Sequence, residues 1–414
     1  MLDLKAIRAE PDAARAALAR RGSDEALDRV LSLDSRRREI LPELEELRAA
    51  KNAASKRIGE LQREGGDASE AIAEVRSVGD REKELDAELK AVEEELDALL
   101  AGLPNLPDPD AAPEDTVLRE VGEAGKAGRD HLELLGRLVD LEAGARVAGS
   151  RFAYIKGPLV LLELALVRWA LDRLGDHGFE PVIPPVLVRE EALYGTGMLP
   201  DTEQQIYRVP DDDLYLAGTS EVPLASLHAG EIVDELPLRY AGFSPCFRRE
   251  AGAAGKDTRG IFRVHQFDKV EMFSFVAPEE SPAEHERLLA IEEELMQALE
   301  LPYRVVNIAV DDLGNSAAKK YDIEAWLPGQ ERYRELTSTS NTTDYQARRL
   351  DIRFRPPEGK GTAHVHTLNG TAVAVGRTII ALVENGQQED GSVVLPGCLA
   401  DFGGPERLEP ASGS

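Results

Sequence analysis

The sequence predicts an α+β protein: an antiparallel β-sheet core with helices, preceded by an N-terminal antiparallel α-helical coiled-coil arm. Three observations carry that prediction. Residues 27 to 100 hold an apolar seam at heptad spacing, broken once by the pair Gly65-Gly66. From residue 130 onward, apolar runs alternate with turn signals, and successive strand-like runs lack regular helical crossovers, which favours antiparallel pairing. Between 243 and 273 the chain reads FSPCFRREAGAAGKDTRGIFRVHQFDKVEMF, a strand, a charged glycine-rich loop and a returning strand.

Composition narrows the class. The chain has 414 residues, 42% hydrophobic and 30% charged, as expected of a globular protein of two or three domains. No apolar run approaches the roughly 18 residues needed to span a bilayer, and the N-terminus MLDLKAIRAEPDAARAAL is amphipathic rather than signal-like. Cys246 and Cys398 are far apart and without a partner motif, which fits a reducing cytoplasm and excludes a cysteine zinc cluster. A net charge of -28 argues against a polyanionic partner only on average, because binding depends on where cations cluster.

Along the arm, Ile40, Leu44, Leu47, Lys51, Ala54, Ile58 and Leu61 form the first seam. Val75, Val78, Glu82, Leu85, Leu89, Val92, Leu96 and Leu99 form the second. Each helix should reach on the order of 50 Å. Residues 35 to 64 carry eight Lys/Arg against six Glu, and residues 65 to 100 carry four against twelve Asp/Glu. The cations of the first helix are Arg36, Arg37, Arg38, Arg48, Lys51, Lys56, Arg57 and Arg63. They suit either a phosphate-facing stripe or salt bridges within the hairpin. LPNLPDPDAAPEDT, residues 103 to 116, is too rich in proline and aspartate to be regular. Expected boundaries are an N-terminal domain 1–103 with the arm at about 27–100, a linker 104–129, a core domain 130–404 and a disordered tail 405–414.

Within the core, residues 158 to 175 predict one long helix. GFEPVIPPVLV, 178 to 188, is a strand whose Pro184-Pro185 suits an edge or interface. LYLAGTSEVPLASL, 214 to 227, is a strand entering a helix capped by Thr219 or Ser220. ERLLAIEEELMQAL is a helix and YRVVNIAVDDL a strand. HTLNGTAVAVGRTIIALVEN, 366 to 385, predicts strand, glycine turn, helix.

Three segments carry cations and hard oxygens in a pattern that suits a nucleoside triphosphate. In FRRE with Arg263 and Phe267, guanidinium groups suit phosphates, Glu250 suits an adenine amino group, and the ring suits the base. In RYRELTSTSN, Glu335 and Ser338 suit magnesium. In LNGTAVAVGRT, Arg377 stands at a helix start and can meet a second phosphate. Taken alone, the 243–273 stretch reads equally as a surface hairpin with a solvated basic tip. No GxxxxGK[ST] or GxGxxG fingerprint is present. His364 and His366 alternate as a metal pair would, but no other ligand clusters with them, and no zinc is expected.

These segments, in this order and over essentially the whole chain, resemble the bacterial seryl-tRNA synthetases, class II aminoacyl-tRNA synthetases. The strand around Pro185 is similar to the first class II motif, FRRE through Glu271 to the second, and GTAVAVGRT to the third. The resemblance implies a class II catalytic core, ATP, L-serine, Mg2+, tRNA(Ser) and tRNA(Sec) as ligands or substrates, and a cytoplasmic homodimer with no membrane partner. Arg248, Arg263 and Arg377 would carry the phosphate chemistry. Arg249, Glu250, Val264, Phe267, Glu335, Leu336, Thr337 and Ser338 would complete the ATP site, with Glu335 and Ser338 holding the metal. Thr219, Ser220, Glu221, Glu271, Asn369 and Thr371, with Arg248, would surround serine. Lys256 and Arg259 would serve the loop or the tRNA end. Arg249 and TSTS depart from the commonest family strings without removing Arg248, Glu250, Glu335 or Ser338. A carrier-protein ligase of the same fold would lack the long arm, and a silent paralogue would have lost one of Arg248, Arg263, Glu335 or Arg377.

Overall fold

A computed structural model describes residues 1–200, 205–251, 257, 259–357 and 361–410. It divides into two compact units, Leu4–Leu103 and Met1–Asp3 with Pro104–Ser414. Among the described residues no helix is long and apolar enough to cross a membrane.

The first unit is dominated by helices α1 (Leu27–Arg63) and α2 (Ser69–Gly102). Ile40, Leu44, Ala54, Leu85, Val92 and Leu96 of the expected seam are buried between them. The two polar seam positions answer each other, with Lys51 Nζ 2.6 Å from Glu82 Oε2. Arg29–Glu95, Arg36–Glu88 and Glu43–Arg81 follow in antiparallel order, and Arg48–Asp86 adds a further pair. The salt-bridge reading of the basic helix holds for part of its cations. Arg36, Arg48 and Lys51 are spent on the acidic helix, and Arg37 on Asp34. Arg38, Lys56, Arg57 and Arg63 are exposed, with no ion-pair partner among the described residues. Residues 38, 56 and 63 fall on one helical face, since 18 residues make five turns and seven make nearly two.

The second unit is built on an eight-stranded sheet. Its strands are β1 (Thr116–Val121), β2 (Glu180–Val182), β3 (Leu238–Phe247), β4 (Gln266–Val276), β5 (Tyr303–Asn307), β6 (Lys319–Leu327), β7 (Arg332–Asn341) and β8 (His366–Ala374). They lie in the order β1-β5-β6-β7-β8-β4-β3-β2. Every pair is antiparallel except β2 with β3. Strand β2 is thus an edge, but the single strand expected over 178–188 is broken: β2 ends at Val182, Pro184-Pro185 lie outside it, and Leu187–Val188 pairs with Leu214–Leu216 in a separate sheet. Helix α3 (Pro158–Asp176) starts with proline in its first turn after Gly157 at φ 60°, a left-handed entry that favours glycine. Leu162, Leu166 and Trp169 of α3 share one core with Leu288 and Leu295 of α4 (Ser281–Ala298), Ile379 and Leu382 of α5 (Val375–Asn385), and Met272 and Val305 of the sheet.

Three further expectations need correction. The linker 104–129 is not free: Asn105 is buried and donates to the carbonyls of Ser316 and Thr342 at 2.9 and 2.8 Å. Its second half adds β1 to the sheet edge against β5. The tail 405–414 is not wholly irregular either. Arg407–Leu408 pairs with Val393–Val394, and Leu408 is buried in the core; residues 411–414 lie outside the described residues. No glycine turn separates β8 from α5, because the strand runs directly into the helix and Gly376 sits in its first turn.

Candidate active site

Strands β3 and β4 pair without interruption from Phe247–Gln266 to Leu238–Phe275. Arg248 leaves the ladder where it ends, and His265 closes the neck. The Arg248 N–H donates to the His265 carbonyl at 2.9 Å, and His265 Nδ1 lies 2.8 Å from the Arg248 carbonyl. His265 is therefore a structural clasp. The Arg248 guanidinium lies over the Phe267 ring at 5.2 Å from its centroid, and its Nε donates to the Gly218 carbonyl. Glu250 has φ 51°, a left-handed conformation that costs a non-glycine residue about 1 kcal/mol. There its Oε2 accepts from Arg263 Nη1 at 2.6 Å. Asp257 accepts from both terminal nitrogens of Arg334 at 2.9 and 2.8 Å, which holds its carboxyl below the usual range against the effect of burial. Phe262 lies between the guanidinium groups of Arg334, 3.9 Å from its centroid, and Arg377, at 4.7 Å. Lys256 lies outside the described residues, and Arg259 pairs with Asp130 and Glu133 rather than facing the cavity.

Across the sheet, a register shift sets the second wall. Thr337 pairs with Ile323 but Glu335 pairs with Glu324, so Leu336 is one residue too many, a β-bulge. Without it, Glu335 and Ser338 would point to opposite faces. With it, Glu335, Ser338 and Ser340 line the cavity, while Thr337 turns to the other face and donates to Glu292 Oε2 of α4 at 2.9 Å. Arg377 lies 3.3 Å from Glu335 Oε1 and donates to the Glu335 carbonyl at 3.0 Å. Burial would raise the Glu335 carboxyl, but Arg377, Lys320 and Arg248 outweigh it and hold it below the usual range. An ionised carboxylate beside a hydroxyl fits a hard divalent cation.

The third wall is carboxylate-rich. Glu221 accepts through Oε1 from Gln346 Nε2 at 2.8 Å and Asn369 Nδ2 at 3.0 Å. Its own N–H donates to Thr219 Oγ1 at 3.2 Å, opening the short helix Glu221–Ala225. On β4, Glu271 forms an ion pair with Lys269 and accepts from Thr371 Oγ1 at 3.4 Å. Burial pushes the Glu271 carboxyl up to about 7, against the pull of Lys269.

These walls enclose a cavity of about 390 Å³. Of the residues expected at the nucleotide, Arg248, Glu250, Arg263, Val264, Phe267, Glu335, Leu336, Ser338 and Arg377 line it. Of those expected at the amino acid, Thr219, Glu221, Glu271, Asn369 and Thr371 do. Three expected residues do not line it. Ser220 is fully buried and its Oγ donates to the Gly242 carbonyl, Arg249 is exposed and its backbone N–H donates to Gln205, and Thr337 faces α4. Lys269 and Lys320 also line the cavity and went unanticipated. Lys269 stands two residues from Glu271 on a strand, so period-two alternation puts it on the same face.

A family profile described as the seryl-tRNA synthetase N-terminal domain matches residues 1–107. Another, the tRNA synthetase class II core domain (G, H, P, S and T), matches residues 206–386. The serine–tRNA ligase of Thermobifida fusca is 50% identical over 422 residues, covering 99% of each chain. This chain belongs to the serine–tRNA ligase family. The Streptomyces coelicolor family member is 51% identical over 429 residues, covering both chains completely. The crystal structure of seryl-tRNA synthetase from Pyrococcus horikoshii complexed with ATP superposes with a TM-score of 0.93, at 44% identity and full coverage of both chains. The antiparallel class II core and the long helical arm are the family's own architecture.

Glu292 tests how the bulge is held. It is fully buried, its Oε1 has no hydrogen-bond partner among the described residues, and burial raises its carboxyl well above the usual range, which favours the neutral form in the fold. The unfolded chain releases that proton near pH 4.3. Stability contributed by the proton is thus complete below that pH and is lost as pH rises toward the folded value. Glu292→Gln keeps a neutral polar group without a titrating proton. Thermal unfolding should show the variant gaining on the wild type from pH 5 to pH 8; parallel curves would contradict a neutral Glu292.

Proposed function

We propose that this protein activates L-serine with ATP to seryl-adenylate, releasing pyrophosphate, and then transfers serine to the 3′ end of tRNA(Ser) and tRNA(Sec). The observation that carries the reading is one cavity with an arginine wall, Arg248, Arg263 and Arg377, facing a carboxylate wall, Glu221 and Glu271. Triphosphate needs the first and an α-ammonium group the second. The family membership supports the same reading.

In the first step a serine carboxylate oxygen attacks the α-phosphorus, a new P–O bond forms, and the bond to the leaving pyrophosphate breaks. Arg248 would meet both the α-phosphate and the serine carboxylate, and Phe267, whose ring it overlies, would stack on adenine. Glu250 would accept from the adenine amino group and release Arg263 to the outer phosphates, where Arg377 joins it. In the second step the terminal tRNA hydroxyl attacks the serine carbonyl and AMP leaves. No protein nucleophile is required; positioning and charge neutralisation supply the catalysis. Glu335 and Ser338 would hold Mg2+, which when bound supplies further neutralisation of phosphate charge.

Serine offers little apolar surface, so alanine is rejected through buried polar groups left unpaired without its hydroxyl, and threonine through lack of room. Glu271, Asn369 and Thr371 supply such groups. Val160, Leu161 and Leu164 of α3 and Ile183 after β2 form an exposed apolar set that suits a homodimer interface. A cytoplasmic location fits the free cysteines. On the arm, Arg38, Lys56 and Arg63 are exposed cations on one helical face that would meet tRNA phosphates.

Purified protein should catalyse serine-dependent ATP–pyrophosphate exchange, and absence of exchange would sink the reading. Removing residues 35–98 should abolish tRNA charging while sparing exchange. Replacing Arg38, Lys56 and Arg63 together by alanine should raise the tRNA KM about tenfold at physiological salt and flatten its salt dependence, again sparing exchange. Unaltered charging by either variant would make the arm a stability element instead.

A further inference from the structure

We propose that Gln346 is a positioning residue that grips one oxygen of Glu221 so that the other is presented to the substrate ammonium group. The inference rests on the serine reading above and adds a residue to it. Gln346 is fully buried on the short helix Tyr345–Leu350. Its amide nitrogen donates to Glu221 Oε1 at 2.8 Å and to the Thr196 carbonyl at 3.2 Å. Its carbonyl oxygen accepts from Thr367 Oγ1 at 2.9 Å, while the Thr342 hydroxyl spends its proton on the Thr367 carbonyl at 2.7 Å. With two acceptors, Glu221 Oε1 and the Thr196 carbonyl, at one end and the Thr367 hydroxyl proton at the other, the amide has a single satisfied orientation, with nitrogen toward Glu221.

Asn369 Nδ2 reaches the same Oε1 at 3.0 Å. Two donors therefore converge on one carboxylate oxygen, and among the described residues none donates to Oε2. Glu221 lines the cavity, so Oε2 is the oxygen left for the ligand. An ammonium group, with three donors and no acceptor, completes that carboxylate in the way a neutral hydroxyl cannot. Asn369 belongs to the serine set already; Gln346 touches no part of the cavity and acts through Glu221 alone.

The grip also bears on charge. Burial raises the Glu221 carboxyl, and the Gln346 bond, Lys269 and Arg248 oppose that. Glu271 on β4 is the other acid facing it. Taking away the Gln346 donor removes one of the opposing effects, so the carboxyl rises further. Ammonium capture needs the ionised form, which is lost as pH falls through the raised value. The acid limb of serine capture must then move to higher pH.

The experiment measures ATP–pyrophosphate exchange against serine and against ATP, from pH 6 to 9, for wild type and Gln346→Met. The serine KM should rise about tenfold, the size expected for one hydrogen bond to a charged group. The ATP KM should stay within twofold, and the acid limb of kcat/KM for serine should move to higher pH. Both KM values rising together, or a fixed acid limb, would overturn the role. Thr367→Val guards against misfolding of the first variant, since it frees the amide carbonyl but leaves Gln346 in place. Its serine KM should rise about threefold with ATP unaffected, and no change in a folded protein would overturn the role as well. Wild-type protein without serine-dependent exchange would refute the functional reading; wild-type exchange with unaffected variants would refute the positioning role alone.

Discussion

A charge taken out of water costs several kcal/mol unless an opposite charge or a set of hydrogen bonds answers it. That constraint shapes the whole cavity. Arg263 is answered by Glu250, Arg377 by Glu335, Arg334 by Asp257, Lys269 by Glu271 and Lys320 by Asp322. The site is therefore assembled with its own counter-ions before any substrate enters. Arg263 and Arg377 are therefore not bare cations: an anion reaching either one must displace its carboxylate partner. The same pairing lets a chain of net charge -28 carry a local cationic wall.

The sheet makes that pairing possible. Alternation along β4 puts Lys269 and Glu271 on one face, and uninterrupted pairing with β3 fixes where Arg248 leaves the ladder. The bulge at Leu336 brings Glu335 to the face of Ser338, while Thr337 and Glu292 secure the opposite side. A second shift, between Val270 and Glu271 opposite β8, sets Thr371 against Glu271. Close approach matters as well: Gly260, at φ 77°, lies where a Cβ would come within 2.0 Å of His131 Nε2, so the returning strand can enter only with glycine there.

Much of this was legible in the sequence, for identifiable reasons. Heptad spacing fixed the arm, because burial of a narrow seam leaves a strong periodic trace. The 243–273 hairpin and the α3 helix were legible because turn chemistry and periodicity agree there, whereas the expected strand over 178–188 is split at Pro184-Pro185 between two sheets. What stayed hidden depended on register or on distant partners. Thr337, which the resemblance implied for the site, turns away because parity flips at Leu336, and a bulge cannot be read from RYRELTSTSN. Ser220 sits beside two cavity residues yet turns to the Gly242 carbonyl. Strand β1 and the Arg407–Leu408 strand are stabilised by partners far along the chain, so local composition read them as irregular. Gln346 carried no signal at all in YQARRL, since its role exists only once Glu221 and Thr367 converge on it.

The pair Arg263–Glu250 offers the most direct measurement of substrate-exchangeable counter-ions. Its 2.6 Å contact joins the residue expected at the outer phosphates to the one expected at the adenine amino group. Both cannot keep each other and serve the nucleotide. A crystal structure with serine and a non-hydrolysable ATP analogue should show the contact broken, Arg263 on a phosphate oxygen and Glu250 on the adenine amino group. A bound nucleotide with the Arg263–Glu250 pair intact would contradict the exchange on which the cavity's design depends.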